Sequence, residues 1–310
     1  MSERESPTRS TTTFDGEPTV GIVGVGTIGD PIARRLAQSF ETVAYDIDES
    51  RLAAVAEDGV ETASGLVELG GRCDVVLLSL PLSEIVEAAA LGEDGVLAGL
   101  SEHDVLIDTG TVDPETTETV ANACDERGVE FLDVPVSGGP RNVKKGTLTA
   151  MAGGDAEIVE LVKPVFESFC DTIYHVGGRG TGIAMKLANN YMLAVNSAVV
   201  CEALVMARRA GIDDEMFYQV ASNASGGSYA LERNVERFVI PGEYDSEADI
   251  SIVHKDVKLA EQLGLRLDVP LLVGGSTRSV YRLAEDRGLS SRDLAALLSV
   301  YDPTEDIERS

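Results

Sequence analysis

The chain has 310 residues, with 53 acidic against 25 basic side chains and a formal charge of −28. Its six lysines include a single adjacent pair, Lys144 and Lys145, so the clustered cations needed to bind nucleic acid or an anionic membrane are missing. Hydrophobic residues at 44% are ample for buried cores, and the length fits two domains.

Residues 1–17 are charged and rich in Ser and Thr, without the apolar stretch of a secretory leader, and are expected to form a disordered tail on a cytoplasmic protein. Apolar runs at 20–23, 42–45, 75–80, 105–107 and 131–132 predict short buried strands, separated by helical patterns such as 32–39, 115–127 and 157–169. The alternation predicts an α/β domain over 18–178, a Rossmann-type doubly wound sheet whose parallel strands are joined by crossover helices. After Gly177-Gly178 the strand signals fade. A long helix over about 180–210, stopped at Gly211, precedes helical stretches near 214–221, 252–263 and 293–300. Residues 179–310 are therefore expected to form an all-helical C-terminal domain, joined to the first by that inter-domain helix. Its apolar stretch 191–207 is interrupted by Asn196, Ser197 and Glu202 and falls short of the roughly 20 residues of a membrane span.

Cys73, Cys124, Cys170 and Cys201 lie far apart, as do His103, His175 and His254. No spacing supports a metal site or a disulfide framework, and the thiols read as buried and inert.

The first strand runs into Gly24-Val25-Gly26-Thr27-Ile28-Gly29, a G-x-G-x-x-G followed by an amphipathic helix. In that context Gly24 makes the tight turn, Gly26 lets the backbone approach a pyrophosphate, and Gly29 lets helix and strand pack. The helix N-terminus then offers free N–H groups and partial positive charge to the phosphates. Asp46, twenty residues beyond Gly26, is placed to bond the adenosine ribose hydroxyls and repel a 2′-phosphate. That favours NAD over NADP, with Arg51 the nearest base that could accommodate the latter. A Gly-rich turn without a ligand is the plain alternative.

Further on, Lys186 and Asn190 stand four apart in a helical segment and so share one face. A lysine just inside the inter-domain helix would be partly desolvated, which lowers its pKa toward the range useful for proton transfer. A solvated lysine and a surface asparagine are the alternative.

Four segments, 108–114, 133–139 (Asp-Val-Pro-Val-Ser-Gly-Gly), 180–190 and Lys255-Asp256, taken with the glycine loop, resemble the β-hydroxyacid dehydrogenase family, most closely its 3-hydroxyisobutyrate dehydrogenase branch. The resemblance spans roughly residues 18–300. It implies that Lys186 is the catalytic group, that Asn190 orients the substrate oxygen, and that Ser137, Gly138 and Gly139 hold the substrate carboxylate. It also implies that Leu80, Pro81 and Thr111 line the cofactor site and that Lys255 reaches it from the helical domain, with Asp256 a structural partner. Arg141 and Asn142 stand where relatives carry small residues, and Arg141 either meets a second anionic group on the substrate or faces solvent.

The function expected is NAD-dependent interconversion of a small β-hydroxy acid and its semialdehyde, 3-hydroxyisobutyrate and methylmalonate semialdehyde first, by a homodimer or homotetramer needing no metal. Reduction of tartronate semialdehyde, succinic semialdehyde, glyoxylate or a sulfonated aldehyde is the alternative within the class. A catalytically silent dinucleotide-binding scaffold or sensor is the alternative outside it.

The acid excess reads as adaptation to molar salt. Self-repulsion at −28 destabilises a compact state in dilute buffer. At about 1 M salt the Debye length shrinks to roughly 3 Å and most of the repulsion disappears. The halophilic expectation stands beside that of an ordinary acidic cytosolic protein.

Overall fold

The computed structural model describes residues 12–14, 16–244 and 247–304, and the chain divides into two compact units, 1–183 and 184–310. Most of the expected tail, residues 1–11 and 15, lies outside the described residues; Thr12 is buried and Phe14 packs on the first core.

In the first unit the buried apolar runs become strands β1 (Val20–Val23), β2 (Thr42–Tyr45), β4 (Val75–Leu78), β5 (Val105–Asp108) and β6 (Glu130–Asp133), with β3 (Glu61–Thr62) at the edge. All pair in parallel in the order β3-β2-β1-β4-β5-β6. Strands covered on both faces by helices need apolar residues at every position, and β1, β4 and β5 are buried throughout. The order reverses between β1 and β4, the place where such sheets open a ligand crevice beyond the strand ends.

Beyond β6 the sheet corrects the expectation of an all-parallel array. β7 (Val136–Ser137) and β8 (Leu148–Gly153) pair antiparallel to each other, β8 is antiparallel to β6, and β9 (Cys170–Gly177) runs parallel to β8. The stretch from β6 to β8 is taken up by β7 and a short helix, Gly139–Lys145, and β7 lies back against β8 as an antiparallel neighbour.

The helices of this unit are α1 (Gly29–Leu36), α2 (Glu49–Ala56), α3 (Leu66–Gly70), α4 (Ser83–Leu91), α5 (Pro114–Asp125), α6 (Gly139–Lys145) and α7 (Ala156–Glu167). Part of the acidic excess is spent on their N-termini. Asp48, Asp113 and Asp155 accept the N–H groups of Ser50, Glu115 and Glu157 at 3.0, 2.9 and 2.8 Å, satisfying donors that the helices leave open.

The second unit contains no named strand among its described residues. It comprises most of α8 (Thr181–Arg209), then α9 (Asp214–Asn223), α10 (Tyr229–Leu231) continued by a π-helical segment (Glu232–Val239), α11 (Ile250–Arg266), α12 (Gly274–Asp286), a 3-10 turn (Leu294–Leu297) and α13 (Leu298–Tyr301). The stretch expected as one helix over 293–300 is thus two short pieces. α8 runs well beyond its apolar stretch, and by length and composition it could cross a bilayer; half of its most apolar window is buried within the protein. Buried Arg233 and Asp293 form a two-point ion pair at 2.8 and 2.6 Å, and Asp293 also accepts the N–H groups of Glu247, Ala248 and Ala295. With its acceptor sites filled, this pair ties the π segment to the C-terminal turns. All four cysteines are free and buried, and burial pushes each thiol up to about 12.

Candidate active site

In the first unit the glycine loop closes β1 against its neighbours: Gly24 N–H donates to Tyr45 O and Ser79 N–H to Val23 O, both at 2.8 Å. Gly24 has φ +90°, and a Cβ there would stand 2.6 Å from Ser79 O; a Cβ on Gly29 would lie 1.9 Å from Gly24 O. Neither position admits a side chain. Gly26 is different: only Arg51 Nη1, at 3.6 Å, comes near the place of its Cβ, so its face is open. Ile28, preceding α1, provides no side-chain cap. The cradle therefore has the shape and the uncapped donors that a pyrophosphate requires.

Asp46 closes the loop from the side. Its Oδ2 accepts Val25 N–H at 2.8 Å and its Oδ1 accepts Asp48 N–H at 2.9 Å, and both oxygens retain a lone pair for a further donor. Arg51 lies 3.8 Å from Asp46 and 3.5 Å from Asp48. Leu80 is half-buried with Cδ2 against Gly24, Pro81 is exposed and Thr111 half-buried. Thr109, bonded through N and Oγ1 to Leu78 O at 2.9 and 2.8 Å, holds the ends of β4 and β5 together beside them.

Ser137, Gly138 and Gly139 are half-buried where β7 passes into α6; Gly138 and Gly139 have φ +136° and +69°. Asn142 packs on Gly138, and Arg141 is exposed.

The second unit brings Lys186, Asn190, Lys255 and Asp256 together. Lys186 and Asn190 are each 8% exposed and Asp256 is 2% exposed. Asn190 Nδ2 donates to Asp256 Oδ2 at 2.6 Å, while its Oδ1 accepts Asn189 Nδ2 at 3.2 Å. That fixes the amide and leaves one Nδ2 hydrogen to donate. Lys255 Nζ lies 3.3 Å from Asp256 Oδ1, which has no hydrogen bond. Burial brings the Lys186 ammonium down to about 8; the Asp256 charge opposes this and the Lys255 charge reinforces it. An amine in that range exchanges protons near neutral pH.

One residue of the 133–139 segment was given no role by the motif reading. Asp133, 1% exposed at the end of β6, accepts Gly180 N–H and Ile183 N–H at 2.8 Å each. The only sequence signal for it was an acid directly ahead of the Val-Pro-Val-Ser-Gly-Gly run.

Residues 19–177 match the family described as the NAD binding domain of 6-phosphogluconate dehydrogenase, and residues 180–301 match the NAD-binding domain of NADP-dependent 3-hydroxyisobutyrate dehydrogenase. The 2-(hydroxymethyl)glutarate dehydrogenase of Eubacterium barkeri is 33% identical over 91% of this chain and 94% of its own length. The chain belongs to the β-hydroxyacid dehydrogenase family. Another member, the 3-hydroxyisobutyrate dehydrogenase of Pseudomonas aeruginosa, is 30% identical over 91% of this chain and 98% of its own. Among solved members, the Mycobacterium tuberculosis 3-hydroxyisobutyrate dehydrogenase with L-serine superposes at a TM-score of 0.86, with 26% identity, over 92% of this chain and 99% of that one. This β-hydroxyacid dehydrogenase is thus an oxidoreductase with a dinucleotide-binding domain and a nicotinamide cofactor.

Proposed function

We propose that the enzyme interconverts a small β-hydroxy acid and its semialdehyde, 3-hydroxyisobutyrate and methylmalonate semialdehyde first, with NAD preferred over NADP. The observation that carries the chemistry is the buried Lys186 with its pKa near 8, beside an asparagine whose amide is already oriented. Bound NAD supplies the hydride acceptor. In the oxidation direction neutral Lys186 takes the hydroxyl proton as the C–H bond of the same carbon breaks, and in reduction its ammonium returns that proton to the carbonyl oxygen. Asn190 donates its free Nδ2 hydrogen to the reacting oxygen and so sets its direction toward Lys186. Ser137 with the Gly138 and Gly139 N–H groups takes the substrate carboxylate, where the lack of Cβ atoms permits close approach. Asp46 on the ribose side supports NAD, since a carboxylate there repels a 2′-phosphate.

A second reading follows from exposed Arg141, two residues beyond Gly139: a substrate with a second anionic group. The named substrate of the Eubacterium barkeri relative is such a dicarboxylate. A panel of 3-hydroxyisobutyrate, 2-(hydroxymethyl)glutarate, L-serine and a sulfonated aldehyde, each with NAD and NADP in molar KCl, distinguishes these. The highest kcat/KM with 3-hydroxyisobutyrate and NAD supports the first reading. A preference for the dianions that Arg141→Ala abolishes supports the second, and no turnover of any of them refutes both.

A further inference from the structure

Asp133 is a buried carboxylate with no place in the chemistry above, and both of its oxygens accept backbone N–H groups. It reaches from the end of β6 to the first turn of α8, accepting Gly180 N–H on Oδ1 and Ile183 N–H on Oδ2. Gly182 N–H adds a third interaction with it. A carboxylate at a helix N-terminus answers both the open donors and the positive end of the dipole. Here the two are brought unusually close. A Cβ on Gly182 would stand 2.2 Å from Asp133 O and 2.5 Å from Met151 O, and one on Gly153 would stand 2.6 Å from Asp133 Oδ1. The first turn of α8 is therefore seated on the ends of β6 and β8 with no room for a side chain. Burial holds the Asp133 carboxyl above the usual carboxylate range, and the backbone N–H groups of Ile183, Gly180 and Gly182 pull it back toward the charged form.

Two chain neighbours give this clamp its meaning. Ser137 lies four residues after Asp133, and Lys186 lies three residues after Ile183 on the same helix. We propose that Asp133 is a positioning residue for catalysis: by clamping the first turn of α8 it fixes where Lys186 stands and sets the potential that Lys186 feels. The inference rests on Lys186 being the proton-transfer group. Loss of the clamp frees the first turn to shift, and a displacement of about 1 Å in a reacting group can cost on the order of 100-fold in rate. Loss of the negative charge also leaves the helix dipole uncompensated near Lys186, which favours the neutral amine and moves its titration to lower pH.

The test is Asp133→Asn, which keeps the size but presents an NH2 where a backbone N–H must be accepted. Three quantities are read: the pH profile of kcat/KM, the Kd for NAD, and the melting temperature, with Lys186→Ala measured in parallel. The expected result is a fall in kcat/KM of about 100-fold at pH 7, a profile displaced below that of the parent, and a Kd for NAD within twofold. A kcat/KM within threefold of the parent, or a fall with an unmoved profile and equally weakened NAD binding, overturns the proposal and leaves Asp133 a structural residue. If Asp133→Asn does not fold, Gly182→Ala displaces the same turn while keeping the charge. It should lose turnover with NAD binding retained, and parental turnover in it overturns the proposal. Turnover retained by Lys186→Ala defeats the assignment of the base itself, a failure distinct from that of the clamp.

Discussion

The sharpest consequence of the buried cluster on α8 and α11 is the pH dependence of oxidation. The active form of Lys186 is the neutral amine, so kcat/KM should follow its fraction in the free enzyme. With burial bringing the group to about 8, that fraction is roughly 9% at pH 7 and roughly 90% at pH 9, so the rate should rise about tenfold and then level off. An ordinary lysine at 10.5 would be only about 0.03% neutral at pH 7, and the rate would climb nearly 100-fold over the same interval with no plateau. Reduction should show the mirror image, level below pH 8 and falling above it, because the ammonium is then the donor. The assay is initial rates in both directions with saturating cofactor, from pH 6 to 10 at constant ionic strength.

Stability carries the same sign. The unfolded chain holds the lysine proton up to about 10.5 and the folded one releases it near 8, so the cost of burial is complete below pH 8 and vanishes as pH rises between the two. The shift corresponds to about 3 kcal/mol, and Lys186→Met should raise the melting temperature at pH 7 and lose that advantage by pH 10.5. A unit-slope rise in oxidation rate continuing beyond pH 9.5, with no stabilisation in Lys186→Met, would refute the reasoning.

The neighbours of Lys186 act in opposite directions. Asp256→Asn should move the oxidation profile to lower pH and Lys255→Met should move it to higher pH, as followed by the same rates; shifts of the reverse sign contradict the assigned charges. Asp46→Ser removes the acceptor for Val25 N–H and the charge facing a 2′-phosphate, and leaves Arg51 without that partner. It should change the kcat/KM ratio of NAD to NADP by about 10- to 100-fold toward NADP, the range expected of a hydrogen bond to a charged group. An unchanged ratio removes Asp46 from cofactor choice. The net charge of −28 predicts a higher melting temperature in 2 M KCl than in dilute buffer, whereas an unchanged one rules out the halophilic reading.

The parts of the fold visible in the sequence were those where one local signal decides. β1, β4 and β5 are buried along their whole length, so apart from Asp108 at the end of β5 they carry no polar side chain and the runs stand out. β7 and β9 are partly exposed strands without a continuous apolar run, and whether β8 runs antiparallel to β6 and β7 or parallel to β9 depends on pairing between segments, which no single run of residues declares. The same distinction holds at the site. Lys186 and Asn190 declare themselves by helical spacing, but the hydrogen bond from Asn190 to Asp256 joins residues 66 apart, and that from Ile183 to Asp133 joins residues 50 apart. Neither leaves a trace in spacing. The acid excess was legible only as a total; in the structure Asp48, Asp113, Asp155 and Asp213 each cap a helix, so part of the charge serves the fold as well as the solvent.

The most direct measurement is the comparison of Lys186→Ala with the parent in turnover and in NAD binding, on the same preparation. If Lys186 is the proton-transfer group, kcat should fall by about 10²- to 10⁴-fold while the Kd for NAD stays within a few-fold. Turnover within tenfold of the parent, or loss of turnover and NAD binding together, would contradict it.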